Sequence, residues 1–166
     1  MRMTLILLLQ VLILFPFWAS AGEHNESKTL PKVSSEVYKN SCGGCHFAYQ
    51  PGLLPARSWR KIINDPDGHA GGGLSLDKRT KAEIEKYLTQ NSAEKTQSKR
   101  SRKIVASIGS DVPTRISQVP YIREKHHKIE QEVFSRKSVG WRGNCIACHT
   151  TAESGDYDDD NVMIPK

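Results

Sequence analysis

Long apolar runs are scarce in this 166-residue chain, and the only one spans Met1 to Ala21. Outside it, hydrophobic side chains make up about 32% of the remaining 145 residues, which is thin for a self-sufficient globular core. The shortage excludes long transmembrane proteins and porins. There is also no glycine repeat of the collagen type. Alternating apolar and polar residues, the mark of half-buried strands, are few, so the pattern points to a mostly α protein with long irregular connections. Methionine is almost missing: past residue 21 only Met163 remains. Acidic residues are the minority, 18 against 24 Lys and Arg. Cysteine occurs nowhere except in two five-residue units. A chain so poor in apolar side chains often depends on a large cofactor or a metal to hold it together.

The Met1–Ala21 run has the layout of a secretory signal. Arg2 supplies the positive start, Thr4 to Trp18 the apolar stretch, and Ala19-Ser20-Ala21 the small-residue cleavage motif. Gln10 and Pro16 interrupt it, which makes it a poor membrane span. Cleavage after Ala21 predicts a periplasmic protein with a net charge of about +5. Export argues against a nucleic-acid partner, and loss of the signal leaves no stable membrane span.

The remainder divides into residues 22–94, a basic segment 95–103 and residues 104–166. Ser34 or Ser35 is placed to cap a helix through Val37 and Tyr38 to Cys42 and Cys45. A second helix from Ala56 puts Trp59, Ile62 and Ile63 on one face, and Asp65-Pro66-Asp67-Gly68 ends it. Asp77 is a natural cap for a helix with Ile84, Tyr87 and Leu88 as its stripe. Residues 95–103 read KTQSKRSRK, five basic in nine, and are expected to form a solvated linker between two lobes. Pro113 and Pro120 favour an extended path up to Tyr121. A helix from Ile122 to Ser135 is expected to follow. Asp156 and Asp158 to Asp160 form a solvated acidic turn without a calcium-loop pattern.

The two cysteine units are Cys42-Gly43-Gly44-Cys45-His46 and Cys145-Ile146-Ala147-Cys148-His149. C-x-x-C-H is the attachment pattern of c-type haem. Its spacing lets both thiols add to the vinyl groups of one porphyrin, and the histidine then falls under the iron. Paired disulfides would close tiny loops that constrain little, and they leave the repeated histidine unexplained. A single zinc site would draw on ligands about 100 residues apart, unlike the compact zinc modules. A thioredoxin-like motif wants a βαβ context that is missing. The reading is therefore two covalent haem c groups, with His46 and His149 as proximal iron ligands.

With Met163 the lone methionine, at most one iron of a monomer can be His/Met-ligated, and the distal ligands are expected to be histidines. Of His24, His69, His126 and His127, the first lies beside the expected new N-terminus. His69 sits among glycines that let backbone lie close to a flat ring. Ile122, His126, Ile129 and Val133 recur at helical spacing, whereas His127 shares a mostly polar face. His69 and His126 are thus the expected distal ligands, with His127 as runner-up. Sequence proximity pairs His69 with His46 and His126 with His149.

These residues resemble the small periplasmic dihaem cytochrome c family over nearly all of the chain after the signal. The matching pieces are CGGCH with LLPARSW (Leu53 to Trp59), HAGGGLSLD (His69 to Asp77) and IEKYL (Ile84 to Leu88). In the second half they are RISQVPY (Arg115 to Tyr121), Lys125-His126, and NCIACH with the tail ending in Ile164-Pro165. The resemblance implies a small two-lobed fold built around two haems, bis-histidine coordination and electron transfer. Its implied exchange partner is a membrane b-type cytochrome or another haem protein. The rival functional reading is a haem enzyme or sensor in which one open iron binds oxygen, nitric oxide or peroxide.

Overall fold

The computed structural model describes residues 27–65, 68 and 75–166. The Met1–Ala21 segment, His24, His69 and most of the glycine-rich loop lie outside the described residues. Within them the chain is helical and irregular, with no strand, only isolated bridges at Ser27–Ser98 and His149–Val162.

Helix α1 is Glu36–Cys42, and Ser35 caps it by accepting a hydrogen bond from the Tyr38 N–H at 3.2 Å. The helix stops at Cys42 rather than continuing to Cys45, and the last α-type bond runs from the Gly43 N–H at the C-cap to the Lys39 carbonyl at 2.7 Å. A Cβ on Gly43 would come within 2.5 Å of that carbonyl oxygen, so the first spacer of the motif is a residue without a side chain.

Helix α2 is Ala56–Asn64, with Trp59 and Ile63 buried, and Asp65 ends it. Its first free N–H, on Ala56, is met by both oxygens of Glu94, at 2.9 and 3.1 Å. Helix α3, Lys78–Gln90, starts at Asp77, whose Oδ1 accepts from Arg79 and Thr80 N–H groups at 2.9 and 3.0 Å. Its buried face is Ile84 and Leu88, and it packs on α2 and α1.

The structure treats residues 95–103 differently from the expected linker. Helix α4 is Lys99–Ile108, so half of the basic run is its first turn. Ser98 caps it through the Ser101 N–H at 3.1 Å. Ser101, Ile104 and Ile108 then share one buried face, and Ser101 Oγ donates to the Gly52 carbonyl at 2.8 Å. The density of charge in the run conceals a capping serine and a helical period. One hydrophobic core also joins the two halves, from Leu30 and Tyr38 through Leu88 and Ile104 to Ala152 and Tyr157.

The expected helix 122–135 is two short ones, α5 (Pro120–Lys125) and α6 (Gln131–Ser135). Pro120 sets the start, one turn of fixed φ needing no N–H. The break has a local cause. In a continuing α-helix the His126 N–H would take the Ile122 carbonyl. Here the His126 ring takes that carbonyl, Nδ1 to oxygen at 2.7 Å, and the backbone N–H bonds Arg123 instead.

The chain ends are stitched across the fold. The Leu30 N–H donates to the Gly155 carbonyl at 2.9 Å. Gly155 has φ +82°, and a Cβ there would collide with the Leu30 carbonyl. The acidic tail is a self-bonded turn: Asp158 caps residues 159–161, and Asn161 Nδ2 donates to Asp156 at 2.9 Å.

Candidate functional site

Both cysteine units open into one cavity of about 830 Å³, within the size range of cofactor sites. Cys42, Cys45 and His46 line it from one side, Cys145, Cys148 and His149 from the other. Its walls come from every helix of the first half and from α4 to α6 of the second, and they are mainly apolar: Leu53, Trp59, Ile63, Leu88, Ile122 and Phe134 contribute. An apolar hollow this size, in a chain with so little apolar residue to spare, is room for a large apolar group.

The four cysteines are unpaired thiols. Burial pushes the Cys42 thiol up to about 11. It pushes Cys145 up to about 12 and raises Cys148 as well. These are not the depressed values of catalytic thiolates, which sit beside positive charge or helix N-termini.

The histidines are held with a preferred tautomer. His46 Nδ1 lies 2.8 Å from the Phe47 carbonyl and His126 Nδ1 lies 2.7 Å from that of Ile122. A carbonyl only accepts, so each bond is donated by Nδ1, the ring orientation that suits a histidine ligating a metal through its other nitrogen. His149 differs, because its Nδ1 is buried without a hydrogen-bond partner. Burial, with His126 and Arg100 acting the same way, lowers its pKa and keeps the ring neutral.

His126 and His149 both line the cavity and meet edge-on, ring centroids 5.9 Å apart and planes at 69°. Two imidazoles holding one metal from opposite sides, each through a bond of about 2 Å, need a separation of this order once the ring radii are added. His127 does not line the cavity; it is exposed, with Nδ1 on the Glu124 carbonyl at 2.6 Å. Ile122, His126, Ile129 and Val133 all reach the cavity although no single helix carries them. The distal residue expected opposite His46, His69, is outside the described residues, but Ser75 and Leu76, just beyond that loop, line the cavity wall. Thiols, imidazoles and apolar walls together form the donor set and surroundings that covalent haem requires.

Four further residues matter that local pattern does not reveal. Tyr49 stacks on the His46 ring at 4.7 Å, and its hydroxyl donates to the Gly143 carbonyl at 2.7 Å, beside the second unit. Tyr157 lies edge-on to His149 at 5.5 Å and donates to Gln50 Oε1 at 2.6 Å. Gln50 in turn donates to the Ala152 carbonyl at 2.6 Å. Arg100 stands over the Tyr157 ring, its guanidinium carbon 5.3 Å from the centroid. The hydrogen bonds among these links join residues 57 to 107 positions apart, so no periodicity announces them.

A small covalent-haem cytochrome is the class that this fold and cavity define. The profile of the dihaem cytochrome c family matches residues 38–157, and the chain belongs to that family. It is similar to a diheme cytochrome c from Rhodobacter sphaeroides, with TM-score 0.67 and 34% identity over 76% of this chain and 99% of that one. A diheme cytochrome type c from Shewanella baltica gives TM-score 0.64 and 34% identity over 78% of this chain and 92% of that one. A second Rhodobacter sphaeroides structure gives 0.60 and 32%, over 76% and 99%. A comparison with curated proteins returned no match. Family membership brings two covalently bound haem c groups, one for each C-x-x-C-H unit, and a role in electron transfer. No helix among the described residues is long and apolar enough to cross a membrane.

Proposed function

We propose that the protein is a periplasmic electron carrier in which both irons are held by two histidines at low potential. The observation that carries this reading is the pair His126 and His149, ring centroids 5.9 Å apart in one cavity, with the Nδ1 of His126 committed to the Ile122 carbonyl. Each haem, when bound, supplies a one-electron ferric/ferrous couple. Cys42 and Cys45 hold one porphyrin, Cys145 and Cys148 the other. His46 and His149 are the proximal ligands, His126 the distal ligand opposite His149, and His69 the distal ligand opposite His46. Two imidazoles favour the ferric state relative to a histidine–methionine pair, and so lower the potential. The Tyr49 contacts give the two sites a common wall.

Ferric spectra test the ligation. His126→Ala converts one of the two irons to high spin, and that iron binds carbon monoxide at once when reduced; His127→Ala changes neither. High-spin iron from His127→Ala instead of His126→Ala refutes the assignment, and prompt carbon monoxide binding by the unaltered protein moves the reading to an open-iron enzyme or sensor.

The exchange partner is an acidic protein, a membrane b-type cytochrome or another haem protein in character. Lys28, Lys99, Arg100, Lys103 and Lys125 gather around a polar cleft of about 170 Å³. Asp158 and Asp159 partly balance them, through Lys28 at 3.6 Å and Lys125 at 3.3 Å, which leaves Lys99, Arg100 and Lys103 as the excess. The cleft shares Arg100, Lys125, Tyr157 and Asp159 with the cavity that His149 lines, so a partner seated there is beside the second site. Exchange slows as ionic strength rises and slows further in Lys99→Glu/Lys103→Glu. A rate that ignores both salt and charge reversal excludes this surface.

A further inference from the structure

Among the described residues, Arg100 is a cation of the cavity wall whose buried side-chain nitrogen is left without a partner. Its Nη2 donates to the Tyr157 carbonyl at 2.9 Å, and the guanidinium lies over the Tyr157 ring. Its Nε is buried and has no hydrogen-bond partner. Buried donors are nearly always met, and an unpaired N–H on a charged group is costly. Position adds to this. Arg100 borders both the cavity that holds Cys145, Cys148 and His149 and the basic cleft on the surface, so it stands where the inner space reaches the outside. Tyr157 keeps it there: the ring is itself packed against His149, and its hydroxyl is tied to buried Gln50.

A haem carries two propionate carboxylates, which an apolar cavity cannot solvate. A planar guanidinium with a free edge is the side chain best matched to a carboxylate. We propose that Arg100 is the propionate-binding residue of the haem attached at Cys145 and Cys148, and that its charge raises that haem's potential relative to the first. The assignment rests on a haem being bound at that unit. The mechanism is electrostatic. The ferric porphyrin carries one more positive charge than the ferrous. A fixed cation beside it disfavours the ferric form, and a propionate neutralised by Arg100 no longer supports it. Arg100 positions the cofactor and tunes it without touching the iron.

The test uses the two-haem protein with Arg100→Gln and Arg100→Lys, titrated spectroelectrochemically. In Arg100→Gln the ferric-to-ferrous ratio of one haem, read at the midpoint of the unaltered protein, rises about tenfold, equivalent to about 59 mV for a one-electron couple. The other haem is unmoved. Arg100→Lys keeps the charge and shifts the ratio less than threefold, which a loss of packing alone would not do. Resonance Raman bands of propionate bending shift in both variants. Unchanged midpoints in Arg100→Gln, or equal shifts in both variants, overturn the proposal. If Arg100→Gln assembles only one haem, Arg100→Lys decides: propionate bands identical to those of the unaltered protein refute the contact. Fewer than two added haem masses on the unaltered protein would sink the haem reading itself and this assignment with it.

Discussion

Gln50→Leu should be among the most damaging single changes outside the haem ligands. Gln50 is fully buried and makes two short hydrogen bonds, from Nε2 to the Ala152 carbonyl and from the Tyr157 hydroxyl to Oε1, both at 2.6 Å. Leucine has similar volume and neither polar group. The Ala152 carbonyl still accepts from the Gly155 N–H at 2.9 Å, so it is not orphaned. The Tyr157 hydroxyl is, in a site only 7% exposed. Two lost bonds at about 1 kcal/mol each, plus the cost of a stranded buried hydroxyl, come to about 3 kcal/mol. For a domain of this size that lowers Tm by about 10 °C. The assay is thermal and guanidinium unfolding of the two-haem protein, followed by tryptophan fluorescence and far-ultraviolet dichroism. Adding Tyr157→Phe removes the stranded hydroxyl, so the double variant should be about 1 kcal/mol more stable than the summed single effects predict. A Gln50→Leu shift below 2 °C, or strict additivity with Tyr157→Phe, would refute the claim that this bond pair fastens the two halves.

Two further outcomes follow from local geometry. Asp77 is lowered below the ordinary carboxylate value of 3.8, mainly by hydrogen bonding with Thr80 and then by the backbone bonds at the start of α3. Its contribution is therefore present above that value and disappears as pH falls through the lowered one. Asp77→Ala destabilises at pH 7, and its deficit shrinks as pH falls through the lowered value, whereas Asp77→Asn keeps a neutral cap and loses that pH dependence; denaturation midpoints at neutral and acid pH check this. Gly155→Ala meets a left-handed φ of +82° and the Leu30 carbonyl together, and should cost upwards of about 2 kcal/mol in urea unfolding. A loss below 0.5 kcal/mol, to use about the usual scatter of surface substitutions, would mean that the Leu30–Gly155 contact is not structural.

What the sequence reveals here is what is written locally. The caps Ser35 and Asp77, the Trp59–Ile63 face of α2 and the two haem units all lie within a few residues of their own evidence. Helix α4 is harder to see, since five basic residues in nine draw attention away from Ser98 and from the spacing of Ser101, Ile104 and Ile108. The break after Lys125 is harder still. Residues 122–133 keep helical spacing, and only the ring of His126 competing for the Ile122 carbonyl ends the helix. Ile122, His126, Ile129 and Val133 face the cavity all the same, because a tight turn at 126–129 returns the chain to the same side. Tyr49, Gln50, Arg100 and Tyr157 are invisible to periodicity because their hydrogen-bond partners are distant in the chain.

The shared hollow has a consequence for how the molecule is made. Its wall draws on α1 through α6, so filling one end without the other leaves common side chains such as Tyr49 with bare space on one flank. A newly made polypeptide that has received no porphyrin, or only one, has an empty or half-empty interior to collapse or to flood. Maturation and folding are then one event, and any step that delays the second attachment exposes a soft, protease-sensitive intermediate in place of the finished carrier.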